Sequence, residues 1–162
     1  SNTGLAKRGE GEGEFVLQTR SVLERGATWD VACTRVTDRL AVPRVGLLAG
    51  LPPLSLYFYD GAECLRSLDE NAKAVSRPRG YSCEELGGLA WCWDSEFPKM
   101  QRLSLVFPLF TSPHGTGCSR YVSTLKTQDG IMATWQQSQP DRSQPLVGNF
   151  LDSAAVESQL AG

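Results

Sequence analysis

A single histidine, His114, limits the acid–base chemistry open to this 162-residue chain. It lies in a segment rich in serine, proline and glycine, four residues before Cys118. An imidazole can activate a cysteine nucleophile when the two side chains are within hydrogen-bond reach. A small hydrolase that uses His114 and Cys118 is therefore one alternative function. The G-x-S-x-G turn of serine hydrolases is absent, and a surface-loop histidine is the simpler interpretation.

Four side chains could bind zinc, those of Cys83, Cys92, His114 and Cys118. Structural zinc sites use ligand pairs that are two to four residues apart, and the interval from Cys83 to Cys92 is wider than that. We therefore predict no metal site, and we expect no cofactor. The five cysteines form no CxxC pair, which favours buried free thiols, with a Cys83–Cys92 disulfide as the alternative.

Residues 91–96 contain the densest group of candidate binding side chains. On an extended strand, Trp91 and Trp93 would share one face, while Asp94 and Glu96 would share the other. Exposed tryptophans stack on sugars or anchor partner proteins. The two carboxylates would lie about 6–7 Å apart by strand rise, a separation that a glycosidase could use. The simpler interpretation is a pair of core tryptophans beside a solvated acidic face.

Other aromatic side chains fall at strand positions that need not be buried. Tyr57 and Tyr59 alternate with Leu56 and Phe58, and Trp135 and Tyr121 lie in polar stretches. Aromatic residues are enriched at recognition surfaces. Together with residues 91–96, they complete a predicted binding set: Trp91, Trp93, Asp94, Glu96, Tyr57, Tyr59 and Trp135.

The elements that would position these side chains are short strands separated by turns. Alternating patterns predict strands at 15–22, 28–36, 45–51, 54–59, 91–97, 103–110, 119–127, 131–138 and 146–151. The predicted fold is therefore all-β, a mostly antiparallel β-sandwich or barrel-like domain with at most one short helix.

Two Asp-Gly pairs indicate where hairpins would turn. Asp60 and Gly61 form one, although a helical pattern over 64–75 competes with it. Asp129 and Gly130 form the other, and a two-residue loop there would place Leu125 opposite Thr134. Residues 82–85 fit a capping box that would open a short helix.

The chain length is that of one domain, and the patterns divide it into three parts. Residues 1–14 are predicted to be a flexible lead-in rich in glycine and glutamate. Residues 15–151 form the β-rich domain, and 152–162 form a frayed tail. Because the sequence starts at Ser1, without an initiator methionine, we expect a module excised from a larger protein.

Charge and hydropathy exclude two classes of partner. The 16 basic and 18 acidic residues give a net charge of -2, unlike the basic excess of nucleic-acid binders. The longest apolar run, 45–54, contains Gly and Pro and is too short to span a bilayer. We predict no nucleic-acid binding and no membrane insertion.

The leading hypothesis is a non-catalytic recognition or assembly module that binds a protein or a glycan through loops and exposed aromatics. A projecting or attachment domain of a coat or surface protein would fit, as would a cytosolic adaptor domain, and the module could form a homo-oligomer. The first alternative is a hydrolase that uses His114 with Cys118 or Asp94 with Glu96. The second is a barrel that binds a small apolar ligand in its interior. The sequence does not indicate a compartment.

Overall fold

A computed structural model describes residues 2–9, 11, 13–63 and 85–161. These residues contain nine strands, two short 3-10 helices at Gly46–Leu48 and Asp94–Glu96, and one α-helix. In chain order the elements are β1 (Leu5–Arg8), β2 (Phe15–Thr19), β3 (Cys33–Ala41), β4 (Leu54–Ala62), β5 (Leu86–Trp93), β6 (Gln101–Arg102), β7 (Ser119–Lys126), β8 (Gly130–Gln137), β9 (Leu146–Asp152) and α1 (Ser153–Leu160).

The named strands form three open antiparallel sheets. An N-terminal hairpin pairs β1 with β2, a central sheet has the order β3-β4-β5-β6, and a C-terminal sheet has the order β7-β8-β9. The prediction of a mostly antiparallel all-β fold is confirmed. None of the helices in the described ranges is long and apolar enough to cross a membrane.

The central sheet carries the core on one face. On β4 the predicted alternation is present, but the buried face is the one with the tyrosines: Tyr57 is 3% exposed and Tyr59 is 1% exposed. The expectation that the side chains of Tyr57 and Tyr59 are exposed is therefore wrong. The core cluster consists of Leu23, Trp29, Tyr57, Tyr59, Leu86, Ala90 and Cys92.

The hairpin predicted at Asp60 and Gly61 does not form, because β4 continues through both residues to Ala62. Asp60 is buried and accepts hydrogen bonds from the Arg35 guanidinium and the Tyr121 N–H. At Gly61 a Cβ atom would lie 2.5 Å from the ring of Trp29. Tertiary contacts thus require these residue types near the end of a strand, where local preference favours a turn.

The hairpin predicted at Asp129 and Gly130 does form, with a different register. β7 ends at Lys126, so the connection is longer than two residues, and Leu125 lies opposite Met132 instead of Thr134. Thr127 accounts for this, because its hydroxyl accepts the N–H groups of Asp129 and Gly130.

Several predicted strands differ in extent or do not form. The strand expected at 15–22 ends at Thr19, and the one expected at 54–59 continues to Ala62. The strand expected at 28–36 begins at Cys33, and 45–51 contains the first 3-10 helix instead of a strand. The strand expected at 91–97 ends at Trp93 and is followed by the second 3-10 helix, while 103–110 forms no strand. The capping box at 82–85 and the helical alternative at 64–75 fall on or extend into residues outside the described ranges.

Regular structure also occurs near both ends of the chain. β1 lies within the predicted lead-in and pairs with β2, so that Leu5 meets Thr19 and Arg8 meets Phe15. Helix α1 occupies most of the predicted tail. Asp152 caps it, because its carboxylate accepts the Ala155 N–H at 2.7 Å, which satisfies one of the free donors of the first turn.

Candidate functional site

Residues 103–110, which we call the apolar loop, expose a run of large apolar side chains. The loop follows β6 and passes alongside β5 without forming a strand. A continuous apolar run is typical of a strand buried on both faces, yet these side chains face solvent. Their exposed fractions are Leu103 51%, Leu105 65%, Val106 57%, Phe107 72% and Leu109 56%.

The first end of the apolar loop is attached through Ser104. Its hydroxyl accepts the Leu89 N–H at 2.9 Å, and its carbonyl accepts the indole N–H of Trp29 at 3.0 Å. The next carbonyl, that of Leu105, accepts the hydroxyl of Thr28 at 2.9 Å. Ser104 is buried, and these bonds hold the loop on the core at this point. The flanking side chains of Leu103 and Leu105 remain exposed.

The second end is attached to Gly87 on β5. The N–H of Leu109 donates to the Gly87 carbonyl at 2.8 Å, and the Gly87 N–H donates to the Phe110 carbonyl at 3.1 Å. The Phe110 ring fills the space above Gly87, where a Cβ atom would lie 1.9 Å from the ring. Between the two attachments Pro108 has no N–H to donate, which disfavours continued strand pairing.

A buried polar group supports the base of the apolar loop. Asp30 is fully buried, and its Oδ2 accepts the Arg102 Nε–H at 2.9 Å and the Tyr59 hydroxyl at 3.1 Å. Trp29 stacks on the Tyr59 ring with 5.6 Å between centroids. Burial is the main cause that raises the pKa of Tyr59, and the charge of Asp30 is the second. The Tyr59 hydroxyl therefore stays protonated. Arg102 is therefore held directly before the loop begins.

The predicted tryptophans lie together on β5, half-buried. Trp91 and Trp93 share one face, as the alternation predicts, and their rings meet edge to face at 5.2 Å. Their cross-strand neighbours are Leu56 and Leu54. The two indoles thus pack on each other and on β4.

The predicted acids do not share a strand face, because Asp94 and Glu96 lie in a 3-10 helix. The Asp94 carboxylate accepts the Ser55 hydroxyl at 2.7 Å and the Arg39 guanidinium at 3.0 Å. The hydrogen bond from Ser55 is the main cause that lowers the pKa of Asp94, and Arg39 lowers it further. Glu96 is exposed. Asp94 is thus a carboxylate that is ion-paired with Arg39.

Tyr57 and Asp94 do meet at one cleft of about 460 Å³ between the N-terminal segment and β3. Tyr57 stacks on Phe97 with centroids 5.8 Å apart, and burial raises the pKa of its phenol. Of the two rings, Phe97 is the exposed one, at 39%. The exposed aromatic side chain of the cleft is therefore Phe97, and the Arg39–Asp94 ion pair lies at the same cleft.

Trp135 lies between the central and C-terminal sheets. It lines an apolar cavity of about 300 Å³ together with Phe58, Phe110 and Val122. Its indole N–H donates to the Gln137 side chain at 2.9 Å. Trp135 is half-buried, so its main contacts are internal.

Tyr121 lies where β7 crosses the central sheet and has a positive φ of 57°. The guanidinium carbons of Arg35 and Arg120 lie 4.6 and 4.9 Å from its ring centroid. Glu85 pairs with both arginines. This cluster, with Asp60, forms what we call the charged seam between the two sheets.

The hydrolase and zinc hypotheses depend on His114 and Cys118, which the structure places in different environments. Cys118 is fully buried, and its thiol donates to the Gln144 side chain at 3.5 Å, while His114 is exposed in a turn. Cys33 and Cys92 carry free thiols, and burial raises the pKa of each. The part of the chain that the structure describes has no group of three or more metal-binding side chains.

The apolar loop is the feature that sequence reasoning missed. Residues 103–110 contain no charge and have apolar side chains at six positions besides Pro108. That pattern is typical of a buried strand as well as of a contact surface. Comparison with protein-family models, with curated proteins and with solved structures finds no match to this chain.

Proposed function

We propose that this chain is a protein-recognition or assembly module whose contact surface is the apolar loop. The observation that carries the proposal is the run Leu103, Leu105, Val106, Phe107 and Leu109, each more than half exposed. Single exposed apolar residues are ordinary, but contiguous ones mark interaction sites. Removing this surface from water would supply the main driving force for association.

The attachments of the apolar loop favour binding over simple disorder. Ser104 and Phe110 fix the two ends by hydrogen bonds to backbone groups of β5. A partner would therefore meet a surface that is already ordered, and little conformational entropy would be lost on binding. Interface centres are poor in charged residues, and residues 103–110 have none.

A protein partner fits these side chains better than a glycan. Sugars stack on exposed aromatic faces, but Tyr57 and Tyr59 are buried and Trp91 packs against Trp93. The apolar loop offers three leucines and a valine beside Phe107. Branched aliphatic side chains suit a complementary protein pocket.

Photo-crosslinking at the apolar loop tests the proposal. A photoreactive phenylalanine analogue replaces Phe107 in one sample and Leu47 in the control. Leu47 is equally exposed, at 71%, and lies in a 3-10 helix outside the loop. We expect position 107 to crosslink one protein that position 47 does not, identified by mass spectrometry.

The affinity of the chain and of its variants for that purified protein is then measured to test whether the loop is the contact surface. We expect Phe107→Ser to weaken binding at least tenfold, as for a central interface residue, and Leu47→Ser to bind like the unaltered chain. Equal binding by Phe107→Ser, or identical crosslinks from both positions, would exclude the loop as a protein-contact surface. Co-sedimentation with lipid vesicles that depends on Phe107 would assign the loop to membranes instead.

A further inference from the structure

Strand β9 (Leu146–Asp152) is the outer strand of the C-terminal sheet, with β8 on one side. Natural edge strands are usually protected by lysine, proline or a bulge. Residues 146–151 contain neither charge nor proline, and the pairing of β9 with β8 has a continuous register. The strand is therefore an unprotected edge among the described strands.

The hydrogen-bonding direction along β9 follows from its two ends. The Pro145 carbonyl accepts the Gln137 N–H at 3.2 Å, and the Ser153 N–H donates to the Asp129 carbonyl at 2.8 Å. In an antiparallel pair, alternate residues bond to the same neighbour. The odd-numbered residues thus bond to β8, and the N–H and C=O groups of Leu146, Gly148 and Phe150 point to the open edge.

The same three residues lie on the outer face of the sheet. Leu146 is 69% exposed and Phe150 is 44% exposed, with Gly148 between them. Met132, the cross-strand neighbour of Phe150, is 38% exposed. Together with Thr134 these residues line a shallow depression of about 410 Å³. The open backbone groups and the apolar side chains therefore belong to one surface.

We infer that β9 pairs antiparallel with β9 of a second copy of this chain, about a twofold axis at Gly148. In this register Gly148 lies opposite its own copy, and Leu146 lies opposite Phe150. All three pairs then use edge-facing backbone groups, and each pair exchanges two hydrogen bonds. The side chains of opposed residues lie on the same face, so each Leu146 packs against the other copy's Phe150.

Charge and shape permit this pairing. Asp152, the one charged residue of β9, would lie opposite Gln144, so no like charges meet. Helix α1 borders a cavity lined by Val45, Lys126 and Val156, away from the open edge. A twofold interface uses the same patch on both subunits. Because this surface is separate from the apolar loop, the inference does not rest on the proposed function.

Sedimentation velocity across a range of concentrations tests the dimer. We expect the unaltered chain to show a monomer–dimer equilibrium, and Phe150→Lys and Leu146→Lys each to raise its dissociation constant at least tenfold. The control is Leu125→Lys, because Leu125 is 64% exposed on the same outer face but lies on β7. It should dimerise normally. Circular dichroism confirms that each variant is folded.

Amide hydrogen exchange by NMR distinguishes this pairing from other dimers. At concentrations that favour the dimer, the amides of Leu146, Gly148 and Phe150 should exchange at least tenfold more slowly than in Phe150→Lys, while those of Val147 and Asn149 change little. A chain that stays monomeric at millimolar concentration would overturn the inference. So would a dimer that both lysine variants retain, or one that only Phe107→Ser dissociates.

Discussion

The central and C-terminal sheets differ in how many of their apolar side chains are buried. The central sheet buries Tyr57, Tyr59 and Leu86 on one face, and the apolar loop is bonded along its β5 strand. The C-terminal sheet contributes Val122 to the buried apolar residues, while Leu125 on its outer face is exposed. Strands alone therefore do not make a core here, because the buried apolar cluster of the described residues lies on the central sheet.

The charged seam shows how the less buried sheet is attached. The Tyr121 N–H donates to Asp60 at 3.0 Å, and the Arg35 and Arg120 guanidiniums flank the Tyr121 ring. Glu85 bonds to both arginines. The charged seam thus adds ion pairs and hydrogen bonds to the apolar contacts of Val122 and Trp135 between the two sheets.

The largest effect is expected where an ion pair is buried under the central sheet. Asp30→Asn removes the charge that pairs with Arg102, whose side chain is only 14% exposed. Leaving one partner of a buried pair uncompensated costs about 3–5 kcal/mol. Urea denaturation should show a loss of that size in the free energy of unfolding.

The matched control is the same substitution at an exposed ion pair. Asp94→Asn disrupts the contact with Arg39, where the two side chains are 31% and 53% exposed. Such pairs contribute about 0–1 kcal/mol. Equal losses in the two variants would show that burial does not set the strength of these pairs.

A pH-dependent effect is expected at the charged seam. Burial raises the pKa of Asp60 to about 6, although hydrogen bonds from Arg35 and Tyr121 act in the opposite direction. The unfolded chain releases this proton near pH 4. Between pH 4 and pH 6 the folded chain therefore binds more protons, and the contribution of Asp60 to stability falls as the pH rises.

Asp60→Asn should remove that slope. The free energy of unfolding of the unaltered chain, minus that of the variant, should decrease by roughly 2 kcal/mol from pH 4 to pH 7. Urea titrations at several pH values measure it. Asp129→Asn, in the exposed β7–β8 turn, should leave the slope in place. Parallel pH profiles for the unaltered chain and Asp60→Asn would contradict the assignment.

The same contrast explains what could be predicted from the sequence. Alternation in β4 predicts the strand correctly, but the buried face also depends on partners for the tyrosine hydroxyls, and the Tyr59 hydroxyl bonds to Asp30, 29 residues away. Gly61 favours a turn locally, but it lies in a strand, where the ring of Trp29 leaves no space for a Cβ atom. Contacts between distant residues decided both outcomes.

The apolar loop and the predicted site show the same limit. Residues 103–110 have the composition of a buried strand, and bonds from Trp29 and Leu89 to Ser104 hold them outside the core. Of the predicted binding residues, Tyr57 and Asp94 meet at one cleft, while Trp135 lies between sheets. A pattern of residue types indicates which side chains could bind, and tertiary packing decides which remain accessible.

The smallest effect is expected on the outer face of the C-terminal sheet. Leu125→Ala should change the free energy of unfolding by less than about 0.5 kcal/mol, because Leu125 is 64% exposed. Its matched partner is Leu86→Ala in the central sheet, where Leu86 is fully buried and truncation costs about 2–5 kcal/mol. Urea denaturation of both variants at low protein concentration, where self-association does not contribute, makes the comparison. A loss above about 1 kcal/mol for Leu125→Ala would mean that this face is packed against another part of the same chain. Retention of stability would instead leave it free for contacts between molecules.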